Sequence, residues 1–276
     1  MLEALSERNG AASFQFTLMT DDAELAGAAD EAGVDRVGLD LERLGKHERQ
    51  GAHPQLRISD HRVEQLPSVR ARLKQAQAFA RLNPLNPDSA AEIEQALDAG
   101  ADVLMLPYFH TVAEIETFVR LVRGRAFVSL LLETAAAADD VAAIARVRGV
   151  GEIVVGLNDL TLDLGFSNQF TLLVSSVLER VADEVRAAGL PFGFGGLADP
   201  ANDGLPVPPS LVYAQYPRLG ATRAFVARRF TAVGLRPGDL NQGVARCRAE
   251  LGRWQARSRK ELAAARDELA AAADAW

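Results

Sequence analysis

The chain contains 276 residues, of which 48% are hydrophobic and 24% are charged, and its formal net charge at pH 7 is −7. This composition is typical of a globular domain that buries one large core. Acidic and basic residues are mixed along the chain without a basic block, so nucleic acid is not expected as a partner. An acidic protein is also poorly suited to an anionic membrane surface.

Cys247 is the only cysteine, so no disulfide can form within the chain, in agreement with a reducing compartment. Residues 1–13 include three charged side chains and lack the apolar run of a secretory signal. The apolar runs elsewhere are too short to cross a bilayer. We therefore expect a cytoplasmic protein with no membrane partner.

Eight short runs rich in β-branched and aromatic residues predict strands, and helical periodicity follows them, most clearly over residues 90–99, 112–122 and 140–147. Strands that alternate with helices pair in parallel, and eight such units predict an α/β fold, a (β/α)₈ TIM barrel that forms a single domain over residues 1–276. An open doubly wound sheet is the competing arrangement. The predicted strands are 14–20, 36–42, 79–83, 102–107, 127–133, 152–156, 192–197 and 222–228.

Glycines separate these units. Each of six glycines lies just after a helical segment and just before a strand, where a left-handed residue ends a helix. The spacing from Gly100 to Gly124 to Gly149 is 24 and then 25 residues, close to one strand–helix unit. The other three are Gly33, Gly189 and Gly220.

Three segments depart from the repeating pattern. A polar insertion at residues 43–67 holds three of the four histidines, and residues 198–210 are rich in proline and glycine. Both follow strands, on the face where barrel enzymes build their sites. Residues 236–276 predict a C-terminal helical extension. Its apolar set exceeds what one barrel surface would cover, which predicts packing on a neighbouring subunit of a homo-oligomer. That set is Leu251, Trp254, Leu262 and Leu269.

Two carboxylates follow neighbouring strands. Glu133 ends the fifth predicted strand, and Asp159 comes three residues after the sixth. Both should project over the mouth of the barrel. Hard oxygen ligands with open positions for water and substrate suit Mg²⁺ or Mn²⁺. The alternative is that both residues cap the helices that follow.

Five short motifs, taken in order, resemble the HpcH/HpaI-type aldolase and citrate lyase β-subunit family: 80–84 (ARLNP), 97–102 (LDAGAD), 106–107 (LP), 133–135 (ETA) and 156–160 (GLNDL). The resemblance implies a barrel of the phosphoenolpyruvate mutase-like superfamily. Such enzymes are metal-dependent lyases or aldolases that act on 2-oxo acids or acyl-CoA esters. It also implies that Glu133 and Asp159 are the metal ligands, and that subunits exchange the last barrel helix.

Arg81 matches the family arginine that binds the carboxylate and keto oxygen of the substrate. A guanidinium fork can hold an anion through two hydrogen bonds and stabilise enolate charge. The alternative is an arginine that is ion-paired within the barrel. Asn158, beside Asp159, is a further candidate for substrate binding. Asp98 matches the family aspartate that helps to orient the base.

The chain departs from the family pattern at the base. The family's Asp-x-Glu-His after the second strand is here Asp-Leu-Glu-Arg, with Arg43 in the histidine position. Arg43 stays protonated at any workable pH, so we assign it to substrate binding. We predict that His47 takes the proton, with Asp40 as a further catalytic residue. His61 is second in order; His53, His110 or a metal-bound water are the remaining alternatives.

The sequence therefore predicts a divalent-metal-dependent aldolase or carbon–carbon lyase that acts on a 2-oxo acid as a pyruvate-like enolate. The insertion at residues 43–67 would bind the aldehyde acceptor. Two alternatives remain: a CoA-ester lyase of the citrate or malyl-CoA lyase type, and a catalytically lapsed barrel that serves as a binding subunit. The glycines of residues 193–198 formally fit a dinucleotide fingerprint, but no helix is predicted to open there. We interpret them as close packing of the seventh strand; the alternative is a phosphate cradle near Arg228 and Arg229.

Overall fold

The structure is a computed structural model that describes residues 14–46, 59–202, 204–227 and 237–276. Its eight strands pair in parallel with their neighbours in chain order, and the last pairs with the first, which closes a barrel. The predicted (β/α)₈ fold is thus confirmed, and the open sheet is excluded. The strands are β1 Gln15–Met19, β2 Arg36–Asp40, β3 Gln77–Arg81, β4 Val103–Leu106, β5 Phe127–Leu132, β6 Val150–Val155, β7 Phe192–Leu197 and β8 Arg223–Val226.

Helices cover the outside of this barrel. Within the described residues, none is both long enough and apolar enough to span a bilayer. The helices are α1 Ala23–Glu31, α2 Leu66–Arg70, α3 Ser89–Asp98, α4 Val112–Val122, α5 Ala135–Asp139, α6 Val141–Ile144, α7 Leu157–Leu164, α8 Gln169–Leu173, α9 Ser176–Ala187, α10 Pro209–Leu219, α11 Pro237–Gln255 and α12 Arg259–Asp274, with a 3₁₀ turn at Val63–Gln65 before α2.

The separating glycines behave as the sequence predicted. All six have positive φ, between 68° and 98°, a region that other residues enter only with strain. Gly193 in β7 serves a different purpose. A Cβ atom there would collide with the side chain and carbonyl of Arg223 on β8, so this glycine allows the two strands to approach closely.

The barrel has two apolar layers. Buried side chains between strands and helices form the main core. A smaller cluster fills the interior of the barrel, where parallel strands bury their second face. The interior cluster consists of Phe79, Val103, Met105, Leu131 and Val154.

A buried ionic layer lies beside this interior cluster. Glu152 forms ion pairs with Arg36 and, at 2.9 Å, with Arg223 Nε, and it accepts a hydrogen bond of 2.7 Å from Ser129 Oγ. Burial alone would raise the pKa of Glu152, but the two arginines outweigh it and hold the pKa below its usual range. The carboxylate is therefore charged, and it compensates two guanidinium groups inside the barrel.

The C-terminal helices pack on the chain's own barrel. Helix α11 lies against α1 and α10 as the eighth barrel helix, and α12 lies against α10 and α8. The expected exchange of the last barrel helix between subunits stays a prediction, because the structure contains one chain. The apolar set that suggested a neighbour is also covered within the chain, since Leu251, Leu262 and Leu269 are buried and Trp254 is half-buried. Assembly into a homo-oligomer stays a prediction.

Glu152→Gln should destabilise the fold by about 3–5 kcal/mol, because it leaves two buried guanidinium groups without their charge partner. Since the folded-state pKa of Glu152 is lowered, its contribution is present above the unfolded-state value of about 4.3 and is lost as pH falls through the folded value. Urea unfolding from neutral to acidic pH measures both effects.

The exposed variant Glu94→Gln is the matched control. Glu94 also pairs with an arginine, Arg125, but at the surface, so its loss should change stability far less. Equal losses in the two variants would contradict a stabilising role for the buried layer.

Candidate active site

A cavity of about 660 Å³ opens at the carboxyl ends of the strands. This volume falls within the roughly 300–1,000 Å³ range of small-molecule sites, and it exceeds the needs of a three-carbon acid alone. Four of the residues singled out from the sequence line it: Arg81, Glu133, Asn158 and Asp159. Side chains separated by up to 78 positions in the sequence are thus brought to one site by the closure of the barrel.

Glu133 follows β5 directly, and the neighbouring loop orients it. Its Oε1 accepts a hydrogen bond of 3.1 Å from the backbone N–H of Tyr108, just after β4. Tyr108 has a φ of 46°, which costs a non-glycine residue about 1–3 kcal/mol. Thr134, the next residue, donates to the carbonyl of Phe109 at 2.8 Å and caps α5. The loop after β4 therefore fixes the Glu133 carboxylate at the cavity.

Asp159 lies in the first turn of α7 and is buried. That helix starts after Gly156, whose missing side chain creates room for Glu133. A Cβ atom on Gly156 would collide with Glu133 Oε2 and lie 3.0 Å from Glu133 Cβ. The Glu133 carboxylate therefore lies against the residue that begins the turn carrying Asp159. The two carboxylates belong to one site, as the spacing of the strands predicted.

The chemistry of this donor pair fits a divalent cation. Both side chains offer hard carboxylate oxygens at the same cavity. In the part of the chain that the structure describes, no cluster of three or more histidine, cysteine or acidic side chains is placed to hold a metal. Glu133 and Asp159 would therefore supply two ligands, with water and substrate as the others, an arrangement that suits Mg²⁺ or Mn²⁺.

Arg81 is held from behind by a carboxylate. Its Nε and Nη2 donate to Asp40 Oδ1 and Oδ2, each at 2.8 Å, and Nε lies 3.4 Å from Glu42 Oε2. Burial lowers the pKa of Arg81, but Asp40, Glu42 and, more weakly, Glu133 raise it well above its usual range. The guanidinium is thus permanently charged, and its Nε–Nη2 edge is held by Asp40. Arg81 is ion-paired within the barrel and also lines the cavity, and its role in substrate binding stays a prediction.

Asp40 supports the site from outside the cavity. It is fully buried, with 0% exposure, and does not line the cavity. Its Oδ2 accepts hydrogen bonds from Lys46 Nζ at 3.0 Å and Ser59 Oγ at 2.9 Å in addition to that of Arg81. We expected Asp40 to be catalytic; these contacts make it a residue that positions Arg81 and Lys46.

Lys46 is the functional candidate that the sequence analysis missed. It is buried, lines the cavity, and pairs with Asp40 and with Glu42 at 3.0 Å each. Its spacing of four residues from Glu42 was the available signal. The sequence favoured the neighbouring His47 instead, since histidine is the side chain whose ordinary pKa lies near neutrality.

The loop residues after β2 are placed differently from our expectations. Arg43 is exposed and does not line the cavity, and its Nη2 donates to the carbonyl of His61 at 3.1 Å, so its assignment to substrate binding stays a prediction without support from the cavity. His61 Nδ1 accepts the N–H of Asp40 at 3.0 Å, and Nε2 lies 3.5 Å from Asp21. His61 therefore fastens the loop to β2. His47, His53, Arg228 and Arg229 lie outside the described residues.

Two further candidates lie away from the cavity. Asp98 ends α3 and lies near Arg125, at the end of the barrel opposite the cavity, so its expected role beside the base was wrong. His110 is exposed, and its ring meets that of Tyr108 edge to face at 5.2 Å.

The fold and the cavity define a (β/α)₈-barrel protein with a carboxylate pair and a buried arginine at the carboxyl ends of its strands. The family model for the HpcH/HpaI aldolase/citrate lyase family matches residues 16–202, and the chain belongs to this family.

Known proteins resemble the chain at different levels. A curated relative, 4-hydroxy-4-methyl-2-oxoglutarate aldolase of Chaetomium globosum, is 27% identical in an alignment that covers 38% of this chain and 51% of that protein. The chain thus spans about half the length of the curated relative it matches. The HpcH/HpaI aldolase of Desulfitobacterium hafniense shares the fold with a TM-score of 0.64 and 17% identity, over 85% of this chain and 94% of that one.

A second structural relative carries ligands. CitE of Mycobacterium tuberculosis, solved with magnesium and pyruvate, has a TM-score of 0.58 and 19% identity, over 95% of this chain and 98% of that one. At this level of identity the likeness demonstrates the barrel fold.

Gly156→Ala should weaken Mn²⁺ binding by roughly 10–100-fold, as expected when the support of a metal ligand is disturbed, because the new Cβ displaces the Glu133 carboxylate. Gly195→Ala is the matched control, since this glycine also lines the cavity but a Cβ atom on it would meet nothing within 4 Å. Calorimetric titration of both variants checks the prediction. Equal affinities would contradict the placement of Glu133 at a metal.

Proposed function

We propose that the chain is a divalent-metal-dependent aldolase or carbon–carbon lyase that acts on a 2-oxo acid and an aldehyde. The observation that carries this proposal is the convergence of Glu133, Asp159 and Arg81 on one cavity. Membership of an aldolase and lyase family supports it, as does the named activity of the curated relative. The magnesium and pyruvate bound to a protein of the same fold fit the donor set found here.

Arg81, Asp40 and Asn158 have different roles in the proposed reaction. A bound Mg²⁺ or Mn²⁺ would act as a Lewis acid toward the carboxylate and carbonyl of the 2-oxo acid. Arg81 lines the same cavity, and its guanidinium can stabilise the negative charge that develops on an enolate. Asp40 keeps that guanidinium from rotating, since it binds Nε and Nη2 together. Asn158 lines the cavity beside Asp159 and can donate a hydrogen bond to the substrate.

Release of a 2-oxo acid from 4-hydroxy-2-oxo acids in the presence of Mg²⁺, coupled to lactate dehydrogenase, tests the reaction. Glu133→Gln and Asp159→Asn should abolish this release. They should also weaken Mn²⁺ binding beyond the roughly 10–100-fold typical of losing an outer-shell partner, because a carboxamide keeps the shape but loses the charge.

The control is Asp163→Asn, which makes the same change at an exposed position of the same helix, outside the cavity. Its Mn²⁺ affinity should match that of the parent protein. Unchanged affinity in both site variants would refute the metal site. Cleavage of citryl- or malyl-CoA with no turnover of hydroxy-oxo acids would favour the CoA-ester lyase, and binding of ligands without any turnover would favour a lapsed barrel.

We propose that His47 is the base that removes the hydroxyl proton in aldol cleavage. Aldol cleavage needs a group that removes the hydroxyl proton, and an imidazole titrates in the useful range. His61 is the poorer candidate because Asp40 and Asp21 occupy both of its ring nitrogens. We retain His47 on the grounds of the sequence, since it follows Lys46, which lines the cavity.

His47→Ala should lower kcat by roughly 100-fold or more, with a small change in KM and retained metal binding. His61→Ala should instead lower the melting temperature, since it leaves the N–H of Asp40 without its acceptor at a cost of about 1–3 kcal/mol. Steady-state kinetics and thermal unfolding of both variants separate the roles. Parent-like kcat in His47→Ala would remove it as the base.

A further inference from the structure

The side chains that line the cavity include a polar set and an apolar set. The polar set contains the carboxylate pair, Arg81 and Lys46, and also Gln169 on α8. The apolar set forms a wall with members from α8, from the connection between β7 and α10, and from Trp276, which follows α12. This wall consists of Phe170, Leu173, Leu205, Pro206, Val207 and Trp276.

Trp276 is a large apolar member of the wall that the described residues leave exposed. Its side chain is 61% exposed, although helix α12 beneath it is well anchored, with Leu269 and Ala273 buried. Asn168 Nδ2 donates to the carbonyl of Ala273 at 3.0 Å, and the indole meets the Phe170 ring edge to face at 5.7 Å. An indole is thus held at the mouth of the cavity with most of its apolar surface uncovered.

The other tryptophan shows the contrast. Trp254 is half-buried, and its indole N–H donates to Ser210 and Glu250, each at 3.0 Å. Its position is accounted for by these contacts within the fold. A molecule with an apolar chain that enters the cavity would bury the exposed part of the Trp276 indole.

The charges of the cavity favour an apolar occupant at this wall. Among the described lining residues the cations are Arg81 and Lys46, and both are paired with Asp40 and Glu42. A second carboxylate on the acceptor would leave water and meet apolar carbon atoms there, which is unfavourable. An alkyl chain would instead bury its own surface and that of the indole.

We propose that the acceptor is an apolar aldehyde with a chain of several carbons, and that Trp276 with Phe170 forms the subsite that selects it. This proposal rests on the proposed aldolase function. In the step concerned, C3 of the 2-oxo acid loses a proton and bonds to the aldehyde carbon, while the carbonyl oxygen of the aldehyde takes up a proton and becomes a hydroxyl. The alkyl chain of the aldehyde then lies on the wall. The wall replaces the 43–67 insertion as the place for the acceptor, since Lys46 alone lines the cavity from the described part of that insertion.

Addition of pyruvate to matched aldehydes tests the preference. Hexanal and 6-oxohexanoate differ by a terminal carboxylate, and acetaldehyde is too short to reach the wall. We expect kcat/KM for hexanal to exceed that for 6-oxohexanoate by at least about 10-fold, the usual scale of discrimination by an apolar pocket. Equal or better use of 6-oxohexanoate would overturn the proposal.

The variant Trp276→Ala tests whether the indole causes the preference for hexanal. It should lower kcat/KM for hexanal by about 10-fold and leave acetaldehyde unaffected, because only the longer chain reaches the wall. Leu162→Ala is the matched control: Leu162 is also a large exposed apolar residue, at 41% exposure, but it lies outside the cavity. An unchanged preference for hexanal in Trp276→Ala would overturn the assignment.

Fluorescence gives a readout that needs no turnover. In Trp254→Phe, Trp276 is the remaining tryptophan. With Mg²⁺ present, 2-oxononanoate, which lacks the hydroxyl needed for cleavage, should shift the emission to the blue as its chain covers the indole, whereas pyruvate should not. A lack of shift with saturating 2-oxononanoate would count against the subsite.

Different results would overturn the aldolase function and the acceptor subsite. No addition of pyruvate to any of the three aldehydes would overturn the aldolase function, and the acceptor subsite with it. Addition to acetaldehyde without preference for hexanal would leave the aldolase function standing and overturn the subsite alone.

Discussion

The bidentate salt bridge between Asp40 and Arg81 is the interaction on which the geometry of the site depends. A free guanidinium on a strand end could adopt many rotamers and could turn either edge to a ligand. Because Asp40 Oδ1 and Oδ2 take Nε and Nη2 at 2.8 Å, one edge is committed to the protein and the orientation of the other is set. Asp40 can do this because it ends β2, next to β3, so the register of the two strands places it opposite Arg81.

Burying that carboxylate creates a demand for further positive charge. Asp40 and Glu42 are both buried. Lys46, in the loop that follows β2, forms ion pairs with both of them and so compensates their negative charge. Near the amino ends of the strands the signs are reversed. There the buried carboxylate of Glu152 compensates the positive charges of Arg36 and Arg223. Both sets therefore bring opposite charges together: the first joins the consecutive strands β2 and β3, and the second joins β6 with β2 and β8.

The features that could be predicted from sequence are those that a local pattern encodes. Strand–helix alternation and the glycines after helices predicted the barrel, and a residue just past a strand must lie at its mouth, which predicted Glu133 and Asp159. The roles of Lys46 and His61 could not be predicted, because they depend on contacts with β2 and its loop that no sequence periodicity encodes. The position of Arg43 in a motif did not reveal that its side chain contacts the carbonyl of His61. The contacts of α12 with α8 and α10 could not be predicted either, since an apolar stripe does not say which surface will cover it.

The division of the cavity has a consequence for how this barrel can diversify. Apart from Gln169, the polar set comes from the end of β3 and from residues that follow β2, β5 and β6 closely. The apolar wall, by contrast, comes from a connection, a short helix and the residue after α12, and its members from Leu205 onward lie beyond residues 16–202 that the family model matches. Substitutions there leave the ring of strands untouched. If the proposed reaction is correct, mutation of the wall could change which acceptor is used while the metal-binding carboxylates and Arg81 are retained.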